Sequence, residues 1–136
     1  MALEYVLHLT TNRDPAEALA FLSSHSAGLA PIDPLHLTGR GLTIAAFRAT
    51  RPAHTVTVIF RLNKLEHTNA GRRTMLRCAL RILAEDDGIL LTDGEVPLCQ
   101  SVLGQLTLNS ANILWADPSY LFIVNPPHRW AVIPSD

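Results

Sequence analysis

Six histidines, at positions 8, 25, 36, 54, 67 and 128, are the side chains of this sequence best suited to moving protons or holding a metal near neutral pH. None is spaced as HxH, HxxH or HExxH, so a metal site would have to be assembled from distant positions. His8 and His36 sit among leucines, which predicts hydrogen-bonded structural histidines on strands. Ser23, Ser24 and Ser26 surround His25 and supply a nucleophile and a base. Sequence neighbours seldom meet as a triad, however, and nothing here suggests an oxyanion donor. Glu66-His67 and His128-Arg129 are ionisable pairs in predicted loops, where catalytic groups and plain solvated residues both reside. The chain has no GxGxxG, no GxxxxGK(S/T) and no GxSxG, which removes the motif for dinucleotide, P-loop and α/β-hydrolase chemistry. No catalytic residue, cofactor or metal is assigned, and an enzyme is not expected.

The carboxylates pose a sharper question. RRTMLRCALRILAEDDGILLTDGEVPLCQ, residues 72 to 100, runs a helical pattern straight into a hairpin that carries acids. Acid–base work by a carboxylate needs a second positioned group and surroundings that shift one pKa, whereas a hairpin in an acidic patch offers water. Asp86, Asp87, Asp93 and Glu95 therefore read as an exposed acidic margin. It is either an ordinary solvated surface or a field that steers a basic protein partner towards the sheet edge. In the tail RWAVIP, Arg129 and Trp130 are of types enriched at interface centres. Tryptophan is also a common core residue, and burial of Trp130 would remove it from consideration.

These groups must be positioned by a single domain spanning residues 1–136, a length that removes roughly two thirds of the unfolded surface from water. With 48% hydrophobic and 17% charged residues, the chain has a core and too little charge for disorder. Lys and Arg number 11 against 12 for Asp and Glu, so no global field favours nucleic acid or an anionic membrane. The longest apolar runs, GLTIAAF and YLFIV, fall far short of the roughly 20 residues needed to cross a bilayer. MALEYVLHLTTNRD lacks a basic segment ahead of an apolar run, so no secretory signal is read and a cytoplasmic location is expected. Cys78 and Cys99, without CxxC spacing, argue against a disulfide framework and structural zinc. Cys78 reads as a buried reduced thiol, with a bridge to Cys99 as the minor reading.

EYVLHLTT, residues 4 to 11, reads as a strand. Asp14-Pro15 pairs an N-cap with a first helical residue and opens a helix to about Ser24. Two prolines make residues 29 to 34 a connection. A short strand, a turn at Gly39 to Gly41, and strands 42–49 and 54–64 follow, the last alternating with period two. A second helix spans about 69 to 84, with an apolar arc on one side and Arg73, Arg77 and Arg81 as a ridge on the other. That ridge is a solvated face or a phosphate-binding stripe. Asp93-Gly94 predicts a hairpin, and Pro97 puts its second strand at an edge or a bulge. LGQLTLN adds a strand after a turn near Gly104, residues 112–115 are ambiguous, and SYLFIV, residues 119 to 124, reads as a buried strand. Pro126-Pro127 forces an extended path, and WAVI docks as a last short strand. The order predicts an α+β fold, an antiparallel-dominated sheet with two helices packed on one face. Its core is ferredoxin-like with C-terminal strand additions.

MALEYVLHLTT, the helix opening DPAEALAFL, the passage VTVIFRLNKLE and the block DDGILLTDGEVPL together resemble the SitI3-like family, the immunity proteins of myxobacterial swarming-inhibition toxin systems. The resemblance covers most of residues 1 to 100, with Arg61-Leu62-Asn63-Lys64 and Gly94-Glu95 at matching positions, and does not reach NPPHRW. It implies a cytoplasmic protein that binds a cognate toxin and neutralises it without catalysis, through a preformed surface of about 1,600 Å². The acidic hairpin and the tail are the first places to look. Two other classes compete. A small enzyme would show a deep pocket containing a histidine, and a self-associating scaffold, a homodimer, would pair through an edge near Pro97.

Overall fold

The computed structural model describes residues 3–124 and 127–134. Strand β1 (Glu4–Thr10) leads into helix α1 (Pro15–Ser24). The Asp14 carboxylate accepts the Glu17 N–H at 2.8 Å and the Glu17 carboxylate accepts the Asp14 N–H at 3.0 Å, a reciprocal cap that fixes the helix start. Residues expected to form a plain connection contain instead strand β2 (Ala30–Asp33), paired with β3 (His36–Gly39) through a register shift between Pro31 and Asp33. Proline forbids a helix there but not an outermost strand, where an absent N–H leaves no ladder bond unmade. Strands β4 (Leu42–Arg48) and β5 (Val56–Leu62) follow, then helix α2 (Thr68–Leu83) and strands β6 (Asp87–Thr92), β7 (Val96–Val102) and β8 (Gln105–Asn109). A 3-10 turn (Ile113–Ala116), a short helix α3 (Pro118–Leu121) and strand β9 (Arg129–Ala131) complete the described elements.

Among the described residues all nine strands lie in one sheet, ordered β2-β3-β4-β5-β1-β6-β7-β8-β9. Every pairing is antiparallel except β8 with β9. The fold is thus α+β with a mostly antiparallel sheet, as the sequence predicts. Alternate residues Leu7 and Leu9 of β1, Leu42, Ile44 and Ala46 of β4, and Val56, Val58, Phe60 and Leu62 of β5 are buried. They share a cluster with Ala18, Leu19 and Leu22 of α1 and Met75, Leu76, Ala79 and Ile82 of α2. Period two in the strands and the apolar helical arcs produce this core. Both cysteines are free and buried, and burial pushes the Cys78 thiol up to about 11 and the Cys99 thiol up to about 12.

Two readings of the C-terminal half need correction. SYLFIV is not a strand, because α3 and turns occupy it. The Asp117 carboxylate accepts the Ser119 N–H at 2.9 Å and Pro118 stands at the first helical position, so a local cap overrides the β-type composition. Nor is Pro97 at an edge, since β7 lies between β6 and β8; the ladder meets the proline with a register shift between Leu90 and Leu91, the bulge alternative. An edge near Pro97 is therefore not open to a second copy of the chain. Pro126 lies outside the described residues.

The tip of the β3–β4 hairpin meets the first turn of α2 backbone to backbone. Gly41 has φ +74°, and its carbonyl oxygen accepts the Asn63 N–H at 2.9 Å. A Cβ on Gly71 would stand 2.3 Å from that same oxygen. The next residue of α2, Arg72, is buried and donates to the hydroxyls of Tyr5 and Tyr120, each at 3.0 Å, and to Asn69 Oδ1 at 3.2 Å. The central strand, α2 and α3 are joined at this guanidinium.

Two outcomes are expected in urea unfolding. Gly71→Ala, worth about 1 kcal/mol in favour of an ordinary helix, lowers stability here by about 2 kcal/mol or more because neither backbone can give way; a neutral or stabilised variant would refute the contact. Arg72→Ala lowers stability by about 3 kcal/mol, since it strands buried hydroxyls as well as removing the charge. A loss under about 1 kcal/mol would mean that the network is dispensable.

Candidate partner-binding surface

At the bulge next to Pro97, two carbonyl groups of β7 accept from side chains of the segment that follows it. Pro97 O accepts from Asn109 Nδ2 at 2.6 Å and from Asn112 Nδ2 at 3.1 Å, while Leu98 O accepts from Trp115 Nε1 at 2.9 Å. Asn112 also caps the 3-10 turn by accepting the Leu114 N–H at 3.0 Å, which resolves the ambiguity of residues 112–115. Asn109 Oδ1 reaches on to the Ile133 N–H at 3.1 Å, and Ala131 O accepts the Ser110 N–H at 2.9 Å. These bonds hold the parallel strand β9 against β8. Trp115 is buried, and Trp130 stands edge-on to it with ring centroids 6.5 Å apart. Trp130 remains 46% exposed, so it stays a candidate anchor. Arg129, on the opposite face of β9, donates to Thr107 Oγ1 at 3.2 Å and is otherwise exposed. Ile113, Phe122 and Val132 add further exposed apolar side chains from this segment.

The four acidic candidates do not form one margin. Asp86 and Asp87 precede or open β6 and Asp93 follows it, which separates the two pairs by about 20 Å along the strand. Asp86 is only 16% exposed as a side chain, paired with Arg13 and accepting the Thr11 hydroxyl at 2.9 Å. Arg13 also pairs with Glu85 at 3.0 Å and lies 4.3 Å over the Phe21 ring, so this is an internal brace between the β1–α1 and α2–β6 loops. Arg81, four residues before Glu85 on α2, lies farther from it at 4.0 Å. Asp87 accepts the Leu103 N–H at 2.9 Å. Asp93 and Glu95 alone project into solvent at the β6–β7 turn, where Asp93 and Gly94 have φ +52° and +75°. Glu95 lies in the turn and not on the strand.

The histidines are dispersed. His25 ends α1 and contacts Ser24 Oγ at 3.0 Å and the Phe21 carbonyl at 2.9 Å, with no third group to complete a triad in those contacts. His36 pairs with Asp33 at 2.8 Å, and Arg40 donates to His67 Nδ1 at 3.1 Å. Among the described residues no three His, Cys, Asp or Glu side chains converge as metal ligands, and no helix is long and apolar enough to cross a membrane. Of the α2 arginines, Arg77 and Arg81 are exposed, consistent with a ridge, whereas Arg72, which the helical pattern did not single out, is the buried one.

His8 and His54 stack at 5.4 Å on the sheet face away from the core cluster, with His8 Nδ1 2.9 Å from Thr57 Oγ1. Burial, and then the nearby charges of Arg51 and His54, bring the His8 pKa down from 6.5 to about 4. His8 is therefore neutral in the folded chain above that value, while an unfolded chain takes up a proton there below about 6.5. Between these limits the unfolded state binds more protons, so stability falls as pH drops from about 6.5 to about 4. His8→Gln keeps a partner for Thr57 without titrating, and its urea midpoint is expected to fall less over that window than the wild-type midpoint. Parallel declines would exclude His8 as a source of acid sensitivity.

Among known proteins, the family model described as SitI3-like matches residues 3–119 of this chain. Comparison with curated proteins and with solved structures returned no match. The matched segment runs from β1 through the Trp115 turn into α3 and includes Arg72, Asn109 and Asn112, the residues that seat the C-terminal edge. The chain belongs to the SitI3-like family.

Proposed function

We propose that this protein is an immunity protein, which binds a cognate bacterial toxin by surface association and neutralises it without making or breaking a bond. Membership of the SitI3-like family supports this reading. The observation that carries it on the molecule is the half-exposed Trp130, held edge-on against the anchored Trp115 in a strand whose three residues are all exposed. A large aromatic ring on a rigid support loses little freedom on docking, which is the usual property of an interface anchor. β9 lies beyond the matched segment, as suits a surface that distinguishes one toxin from another. The proposed contact wraps the edge strand β9, with Trp130 on one face and Arg129 on the other. Asp93 and Glu95 at the other end of β6 contribute long-range attraction to basic groups on that part of the toxin, and Asp86 and Asp87 act through the loops they brace. The protein would work in the cytoplasm of the producing cell, in competition between bacteria, and its gene would adjoin that of the toxin.

We also read the scaffold as ferredoxin-like. The succession β1-α1-β4-β5-α2-β6 with spatial order β4-β5-β1-β6 is that of a split βαβ core, to which β2 and β3 are added on one side and β7, β8 and β9 on the other.

Coexpression with the product of the adjoining toxin gene is expected to restore growth, and the two purified polypeptides to form a complex. Trp130→Ala is expected to weaken that complex by roughly 30-fold, as removal of an anchor does, while reducing stability by no more than about 1 kcal/mol. If the chain neither binds that neighbour nor protects cells that express it, the immunity reading fails.

A further inference from the structure

The β7–β8 hairpin turns through Leu103 and Gly104, with φ +52° and +80°. The β6–β7 hairpin turns through Asp93 and Gly94 with nearly the same pair of angles, +52° and +75°. Positive φ at both central residues is what a two-residue turn needs to match the twist of its strands, and Asn or Asp followed by Gly meets it with least strain. The β6–β7 hairpin, whose loop is one residue longer, places Asp-Gly at that pair of angles. The other places there a leucine, a bulky residue that rarely adopts left-handed backbone. Burial does not account for it, because Leu103 is 91% exposed, the highest value for a large hydrophobic side chain among the described residues. Neither turn chemistry nor the core selects this residue.

The tip is fixed in place. Asp87 at the start of β6 accepts the Leu103 N–H at 2.9 Å, and Val102 pairs with Gln105 across the turn. Beside it lies a cavity of about 420 Å³, lined by Gly104 and Leu106 of the hairpin strand and its turn, by Arg77, Leu80 and Arg81 of α2, and by Ile123. Leu80, Leu106 and Ile123 are partly buried and make an apolar floor. Both arginines are exposed, Arg77 without an acidic side chain in the cavity lining and Arg81 with Glu85 at 4.0 Å on its outer side, and none of the described residues lining the cavity is acidic. A leucine projecting from a rigid turn, next to an apolar groove with a cationic rim, complements a protein surface that offers an apolar slot flanked by carboxylates.

We propose that Leu103 is an anchor for the cognate toxin. It enters an apolar slot on an acidic face of that protein while Arg77 and Arg81 meet the carboxylates, and Asp87 is the positioning residue that holds the anchor. This rests on the immunity reading and extends it to a second contact, at the tip of the β7–β8 hairpin. The test uses the full chain and the purified polypeptide encoded beside it. Leu103→Asn supplies the residue that the turn prefers, so its thermal midpoint is expected to equal or exceed that of the wild type while affinity falls at least tenfold; a purely structural leucine could not separate the two readouts. Paired substitution Arg77→Glu with Arg81→Glu is expected to lower affinity by a similar factor. Asp87→Asn, which retains an acceptor, is expected to bind within about threefold of wild type, and Asp87→Ala more weakly. If the wild type binds and Leu103→Asn binds equally well, this inference is overturned and the immunity reading stands. If the wild type does not bind, the immunity reading falls and takes this one with it. Conversion of a wild-type dimer to a monomer by Leu103→Asn, with toxin affinity unchanged, would assign the tip to a second copy of the chain and overturn the proposal.

Discussion

Arg72 brings a full positive charge into the interior of α2, where burial works against it, yet hydrogen bonds from its guanidinium to Tyr120 and Tyr5 more than offset this and keep its pKa above the ordinary value. Burial meanwhile raises the pKa of Tyr5, so that phenol meets the guanidinium as a neutral hydroxyl. A charge of this kind is costly to bury and more costly to strand, which makes its partners obligatory. Tyr5 fixes it to the central strand and Tyr120 to α3, and the Tyr120 hydroxyl passes on to Asn69 Oδ1 at 3.2 Å. The chain from 113 onward has little regular structure of its own. It is docked at α3 by Arg72 and at the preceding turn by Trp115 and Asn112, and the exposed face of β9 is therefore set by interactions formed far from it in sequence.

The bulge at Pro97 is the second half of that arrangement. In a regular interior strand the Pro97 and Leu98 carbonyls would be taken up by neighbouring strands; here they accept from two asparagine side chains and an indole. Buried acceptors need partners, so a local irregularity in the ladder becomes a specific receptor for the segment that follows β8. The same asparagine that satisfies Pro97 also receives the Ile133 N–H. Sheet, turn and terminal strand are thus joined by polar bonds in a region where the short strand alone would contribute little.

Elements whose signals are local were legible in the sequence. The Asp14-Pro15 cap, the alternation in Val56–Leu62 and the apolar arc of α2 each state their structure within a few residues, and the Asp93-Gly94 turn does so in two. The reading failed where two local signals conflict or where the decisive partner is distant. Asp117-Pro118 starts a helix in a segment whose side chains favour a strand, and Pro31 excludes a helix but, at an edge position, not a strand. Nothing near Arg72, Asn109 or Asn112 marks them as buried, because the tyrosine hydroxyls and the Pro97 carbonyl that receive them lie 12 to 67 residues away. Asp86 looked solvated for the same reason, since Arg13 is distant in sequence. Trp130 and Arg129 were identified by residue type alone, and their exposure could come only from the fold.

The edges of the sheet constrain what sort of recognition is available. β2 has four residues, a proline and a register shift, and β9 has three residues. Short, interrupted edges present few aligned backbone groups and resist pairing with a foreign strand. Recognition by added strands draws its affinity from main-chain bonds and tolerates many partners, whereas recognition by side chains depends on shape and charge at particular positions. A protein that must bind one partner and ignore its relatives gains from closing the first route. With both edges blunted, the proposed contacts at Trp130 and at the β7–β8 tip leave discrimination to side chains on a rigid sheet, where a change of one residue in either protein is enough to alter it.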